Sequence, residues 1–285
     1  MPPLLPALLA LILILKTIPI SVTYHFTRQC NKNLATSRRS PPSAQQALFL
    51  LHAAGMKKIN FAGGEPFLPP RFLSNLLTYC KQPLHLESVS IVTNGSLVTE
   101  SFLAKHGHNI DILAVVSCDS FDPATTNARI GRGFENQIPK LYEIRDLCRK
   151  YGIKFKVNTV VCRFNVNDDM NRVISELDPF RWKCFQVLVV GGGENDSSET
   201  KKDARGLVVT DEEFDRFCGV HCAQRALSYL ILDEYLRFLD RDGRQPSPGV
   251  LEVGVERALE CVFWDQGGWF VERGGVYDWF REGGL

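Results

Sequence analysis

Residues 58–96 read KINFAGGEPFLPPRFLSNLLTYCKQPLHLESVSIVTNGS, and this stretch decides the fold. KINFA (58–62) is a β-branched and aromatic run of strand length, stopped by the glycines of GGEP (63–66). A helix-like segment follows at 70–80, and SVSIVT (88–93) is a second strand that ends in the turn TNGS (93–96). The same rhythm extends in both directions. Further strands are expected at 18–26, 110–117, 153–160 and 182–189, with helices at 44–54, 99–106, 137–151 and 168–177. Strands alternating with ten or so helical residues predict right-handed βαβ units and a parallel sheet. The nearly unbroken apolar run within 110–116 fits a strand covered on both faces. Six such units make an α/β fold, either a partial barrel or a doubly wound sheet; no internal repeat is evident.

Composition narrows the function. The 285 residues carry 33 Lys+Arg against 32 Asp+Glu, a net charge of +1, so no global basic field exists to hold nucleic acid. Apolar residues at 45% and charged residues at 23% exclude wholesale disorder and coiled coil. Nine scattered cysteines suit a reducing interior better than a disulfide framework.

The ends differ from the middle. Residues 4–15 (LLPALLALILIL) are nearly all apolar, yet fall short of the ~20 residues of an ordinary membrane span. They lack the basic flank and cleavage site of a signal peptide. A short anchor (1–17) lying on a membrane surface is expected, with a buried first helix as the alternative. The core spans 18–190. Residues 191–206 are glycine-rich and polar, and 191–285 reads as an extension capping the sheet. In it, Thr210-Asp211-Glu212-Glu213 resembles a helix start, and 227–239 (LSYLILDEYLRFL) is amphipathic enough to dock on the body.

Ligands of parallel α/β proteins bind beyond the carboxyl ends of the strands. Here those ends carry Thr27-Arg28-Gln29-Cys30, Gly63-Gly64-Glu65-Pro66, Thr93-Asn94-Gly95-Ser96 and Ser117-Cys118-Asp119-Ser120. The glycines expose backbone groups, and Glu65 offers an acceptor for an amine or hydroxyl. Strand alternation puts Lys154, Lys156 and Asn158 on one face, opposite Ile153, Phe155 and Val157; Arg181 and Lys183 repeat the pattern. Arg129 and Arg132 stand near the same rim. An inward ammonium needs an anion, and a polyphosphate fits best; the alternative is a solvated lysine face on an edge strand.

With these residues in hand, the chain resembles the viperin family of radical S-adenosylmethionine (SAM) enzymes. The resemblance rests on SVTYHFTRQC (21–30), AGMKKINFAGGEPFL (54–68), SVSIVTNGSL (88–97), SCDSF (117–121), IGRG (130–133), FKVN (155–158), RFNVNDDM (163–170), RWKCFQ (181–186) and YLILDEYLRFL (229–239). It implies a partial (βα)6 TIM-like barrel with a C-terminal extension, holding a [4Fe–4S] cluster and SAM. The implied reaction is dehydration of CTP to 3′-deoxy-3′,4′-didehydro-CTP, a terminator of viral polymerases, with electrons from a donor protein. The implied setting is the endoplasmic reticulum or lipid droplet. By the same resemblance Gly63, Gly64, Glu65, Pro66, Asn94, Ser96, Ser117 and Arg132 hold SAM. Lys58, Lys156, Arg181 and Lys183 hold the triphosphate, Tyr235 closes over the substrate, and Cys30 is a cluster ligand.

Three departures stand out. The family's cluster motif is C-x3-C-x2-C, whereas here only Cys30 has a counterpart, followed by NKNLATSRRSPP (31–42). One thiolate cannot hold a cubane. Thr23 replaces a usual Asn, and Gln245 lies where a basic segment is expected. A binder of nucleotide or SAM without radical chemistry, and a membrane-associated interaction protein, are therefore the alternatives.

Overall fold

The computed structural model describes residues 21–27, 41–116, 119–121, 137–187, 205–221, 224–225, 230–240 and 245–262. The chain runs β1 (Ser21–His25), α1 (Pro41–Ala53), β2 (Lys58–Ala62), α2 (Pro70–Lys81), β3 (Ser88–Thr93), α3 (Glu100–His106), β4 (Ile112–Val116), α4 (Gln137–Lys150), β5 (Lys154–Val161), α5 (Asn171–Leu177), β6 (Arg181–Gln186), α6 (Asp211–Val220), β7 (Gln224–Arg225), β8 (Ile231–Leu232), α7 (Val250–Val253) and α8 (Val255–Glu260).

All pairings in the sheet are parallel, in the order β7-β6-β5-β4-β3-β2-β1-β8. Strands β1 to β6 follow one another without a reversal. With right-handed crossovers, every connecting helix then lies on the same face. The doubly wound alternative, which needs a switch point, is thereby excluded, and the fold is a partial (βα)6 barrel.

Side-chain parity divides the two faces. Val22 and Tyr24, Ile59 and Phe61, Val89 and Ile91, Leu113 and Val115, Phe155 and Val157, and Trp182 and Cys184 all join the core under the helices. The helices return matching apolar faces, as with Leu73, Leu76, Leu77 and Cys80 on α2. The opposite face therefore receives Thr23, Lys58, Asn60, Ser88, Ser90, Lys156, Asn158, Arg181 and Lys183.

Residues beyond β6 add to both edges of the sheet. β7 pairs with β6 through Lys183 and Cys184, and β8 pairs with β1 through Thr23 and Tyr24. Helix α6 opens on a capping box, in which the Thr210 hydroxyl accepts from the Glu213 N–H and Glu213 accepts from the Thr210 N–H. Within the amphipathic run at 227–239, the described part is strand β8 and a tight turn, with Leu236 at φ 63°. No helix among the described residues is long and apolar enough to cross a membrane. Residues 1–17 lie outside them.

Candidate functional site

The first half of the site is a rim built from the ends of β1, β2 and β3. The Gly64 N–H donates to Thr27 O at 2.7 Å, which presses the GGEP loop onto the end of β1. Gly63 holds φ +100°, and a Cβ there would lie 2.2 Å from Thr27 O. Only glycine allows this approach.

Glu65 has a positioning job that its sequence does not show. It is wholly buried. Its Oε1 accepts from the Phe67 N–H at 3.1 Å and the Thr93 hydroxyl at 2.7 Å, and its Oε2 accepts from the Asn94 N–H at 2.8 Å. Burial pushes its carboxyl pKa up, and these three hydrogen bonds work against that rise. The carboxylate thus locks the β2 loop to the β3 loop and sets the position of Asn94; the three bonds leave Oε2 with one further acceptor position. Asn94 Oδ1 in turn accepts from the Ser96 N–H at 2.9 Å and the Ser96 hydroxyl at 2.6 Å. Gly63, Gly64, Glu65, Pro66, Asn94 and Ser96 are therefore assembled at one place. Cys30, Ser117, Arg129 and Arg132 lie outside the described residues.

The second half is a cationic wall on the inner face. Lys58, Lys156 and Lys183 are 6%, 7% and 5% exposed, so three ammonium groups are buried together, with half-buried Arg181 beside them. β2 and β6 are four strands apart, roughly 19 Å along a flat sheet at ~4.8 Å per strand. Yet the charges of Lys183 and Arg181 act on Lys58. Curvature of the sheet brings them together across the barrel. The edge-strand alternative fails as well, because β5 is paired on both sides.

Burial, then repulsion from Lys183 and Arg181, lowers the Lys58 pKa to about 7, against a smaller upward pull from Asp111. Burial and Arg181 lower Lys183 to about 8. Lys156 is held well below its ordinary range by burial and by Lys183, Lys58 and Arg181. Asp111 is already engaged, 2.6 Å from Lys81 Nζ and accepting from the Val89 N–H at 2.7 Å. Two polar atoms complete the wall. Asn158 Oδ1 and Ser88 Oγ are buried without a hydrogen-bond partner, an arrangement that costs ~1–3 kcal/mol each unless a ligand meets them. Thr23, Asn60 and Ser90 form a linked row along the floor, with Asn60 Nδ2 donating to Thr23 Oγ1 at 3.4 Å and the Ser90 hydroxyl donating to Asn60 Oδ1 at 2.9 Å.

Two residues fall away from this group. Lys154 stays on the inner face, but its ammonium sits 4.3 Å from the centre of the Phe180 ring. Tyr235 lies just past β8, its ring 4.9 Å from the Arg237 guanidinium carbon. Its backbone N–H donates to Asp233 at 2.9 Å, which ties it to its own turn. Sequence reading placed Asn158 on the right face without a role, and it missed Ser88. The signal for Ser88 was its shared parity with Ser90 on β3.

A polar rim at the strand ends, an inner wall of buried cations and a monotonic parallel half-barrel define a radical SAM protein, and the Radical SAM superfamily model matches residues 37–177. Solved structures agree in fold: anSMEcpe with bound AdoMet superposes at TM-score 0.64 (12% identity, 85% of this chain and 77% of that one). Streptococcus suis SuiB bound to S-adenosylmethionine gives 0.59 (14% identity, 92% and 69%). The S-adenosylmethionine-dependent nucleotide dehydratase RSAD2 of Oncorhynchus mykiss is 45% identical, over 92% of this chain and 81% of its own length. The RSAD2 of Danio rerio is 45% identical (93% and 79%), and a dehydratase of a Thermoplasmatales archaeon is 31% identical (91% and 96%). The chain belongs to the S-adenosylmethionine-dependent nucleotide dehydratase family, the viperins.

SAM and a [4Fe–4S] cluster are the cofactors of this family. The rim fits SAM, since the strained Gly63 brings the backbone close and Asn94 and Ser96 offer polar groups on the adjacent turn. The donor set does not fit the cluster. Residues 1–79 contain a single cysteine, Cys30, and residues 28–42 contain no His, Asp or Glu. Among the described residues no group of three His, Cys, Asp or Glu could hold a metal.

Proposed function

We propose that the inner wall binds a nucleoside triphosphate, CTP, with its phosphates on Lys58, Lys156, Lys183 and Arg181 and its sugar toward the SAM rim. The observation that carries this reading is the burial of three lysines in one group. Three buried lysines and an arginine on one inner face give a concentrated positive field whose charge matches that of a triphosphate. Asn158 Oδ1 accepts from a ligand hydroxyl or amine, and the Ser88 hydroxyl serves either way. The family resemblance gives Tyr235, on the turn after β8 and outside the cationic wall, the part of closing over the substrate. The relatives are named S-adenosylmethionine-dependent nucleotide dehydratases, a name that calls for a nucleotide beside SAM. The wall holds the phosphates, fixes the sugar and excludes bulk water.

The test is isothermal titration of the full chain with CTP, UTP, ATP and cytidine. Binding of CTP ahead of the other nucleotides supports the reading. Equal binding of cytidine overturns the triphosphate role.

Residues 4–15 are proposed to lay the protein on the endoplasmic reticulum or lipid-droplet surface. Loss of membrane association on deleting residues 1–17 tests the anchor, and unchanged association contradicts it.

A further inference from the structure

We propose that this chain holds nucleotide and SAM without carrying the cluster, so that it retains the ligand-binding half of its family's machinery and not the electron-transfer half. The inference rests on the nucleotide site above and adds what the thiol count decides.

A cubane presents four irons, each of which needs a ligand. Cys30 and one chelating SAM would serve two of them and leave two bare. The next cysteine in the chain is Cys80, fifty positions on. Cys80 and Cys148 are buried near the C-terminal ends of α2 and α4, packed under the helices, and burial pushes both thiols up, Cys148 to about 12. A thiol that resists ionisation is a poor metal ligand. Cys184 points to the helix side of β6 and engages Cys218 of α6, and the Cys184 thiol is likewise raised by that contact and by burial. The exposed Cys261, just past α8, donates its thiol to Arg257 O at 3.3 Å. Cys162 is buried past β5, with Asn165 accepting from its backbone N–H. Cys80, Cys148, Cys162, Cys184 and Cys218 are thus buried where they stand and Cys261 is exposed; Cys118 and Cys222 lie outside the described residues, and neither stands at the C-x3-C-x2-C spacing from Cys30.

The binding features, by contrast, are intact and costly. Gly63 keeps a conformation that only the close approach to Thr27 requires. Asn158 Oδ1 and Ser88 Oγ stay buried without partners, and the lysines stay buried together. A fold with no ligand to meet gains nothing from these groups.

The experiment uses the full chain in three anaerobic measurements. After incubation with iron and sulfide, bound iron per chain and the cluster's charge-transfer absorbance are read. CTP and SAM binding are read separately by titration calorimetry, with no iron present. The double variant Leu34→Cys/Ser37→Cys, which restores the C-x3-C-x2-C spacing on Cys30, goes through the same iron assay. The proposal expects substoichiometric iron and no cluster band in the native chain, saturable CTP and SAM binding, and a gain to about four irons in the double variant. Four irons on the native chain would overturn it, and no gain in the variant would contradict the thiol count as the cause. Absent CTP binding would instead overturn the nucleotide site, whatever the iron result.

Discussion

Lys156 stands directly across from Arg181 in the parallel register of β5 and β6, so two cations of neighbouring strands face the same hollow. The next inward pair is Asn158 with Lys183, which sets an amide oxygen beside the second lysine. Like charges placed opposite one another destabilise a sheet. Their persistence here argues for an anion between them.

Replacing Lys156 by Met therefore has two effects of opposite sign. Loss of a charge-assisted hydrogen bond weakens CTP by roughly 1.5–3 kcal/mol, about 10- to 100-fold in Kd. The free protein becomes more stable, because a repelled, desolvated charge is gone. Calorimetry and a thermal melt of the same preparation check both. A variant that melts lower without ligand contradicts the repulsion argument.

pH enters through the depressed lysines. Lys58 and Lys183 lie at about 7 and about 8 in the folded chain, against 10.5 as the reference for the unfolded one. Between those values the unfolded chain binds more protons, so stability without nucleotide rises with pH over that window. Nucleotide binding favours the charged lysines and takes up protons. CTP affinity thus falls from pH 7 to pH 9, and calorimetric heats at pH 8 vary with buffer ionisation enthalpy. Heats independent of the buffer would contradict this.

Much of this is readable in the residues, and the failures have physical causes. KINFA and SVSIVT show their strand bounds directly, because each is an apolar alternation cut off by glycine or asparagine turns. The inward parity of Lys156 and Asn158 follows from the same alternation. β7 and β8 are two residues each, too short to show any period, and their pairing is set by the tertiary fold. The bonds of Glu65 to the β3 loop are not legible, because its direction comes from a loop conformation that acidity alone does not reveal. Lys154 shares parity with Lys156, yet Phe180 captures it.

The Glu65→Gln variant tests the positioning role of Glu65. An amide cannot accept all three hydrogen bonds without turning its NH2 toward a donor, so stability falls by roughly 1–3 kcal/mol. SAM affinity falls with it, because Asn94 loses its anchor, while CTP affinity changes little. Equal losses for both ligands would contradict a role confined to the rim.

Gly63→Ala tests the close approach. A left-handed backbone and a 2.2 Å clash with Thr27 O together cost at least about 1–3 kcal/mol. SAM titration and denaturant unfolding should both register it. Wild-type SAM binding by this variant would remove Gly63 from the site.

The most direct measurement is the affinity of the full chain for CTP against cytidine at neutral pH and fixed salt. A wall of three buried lysines and an arginine predicts that removing the phosphates weakens binding by about a thousandfold or more, because several charge-assisted hydrogen bonds disappear at once. Indistinguishable affinities would mean that Lys58, Lys156 and Lys183 do not hold phosphate.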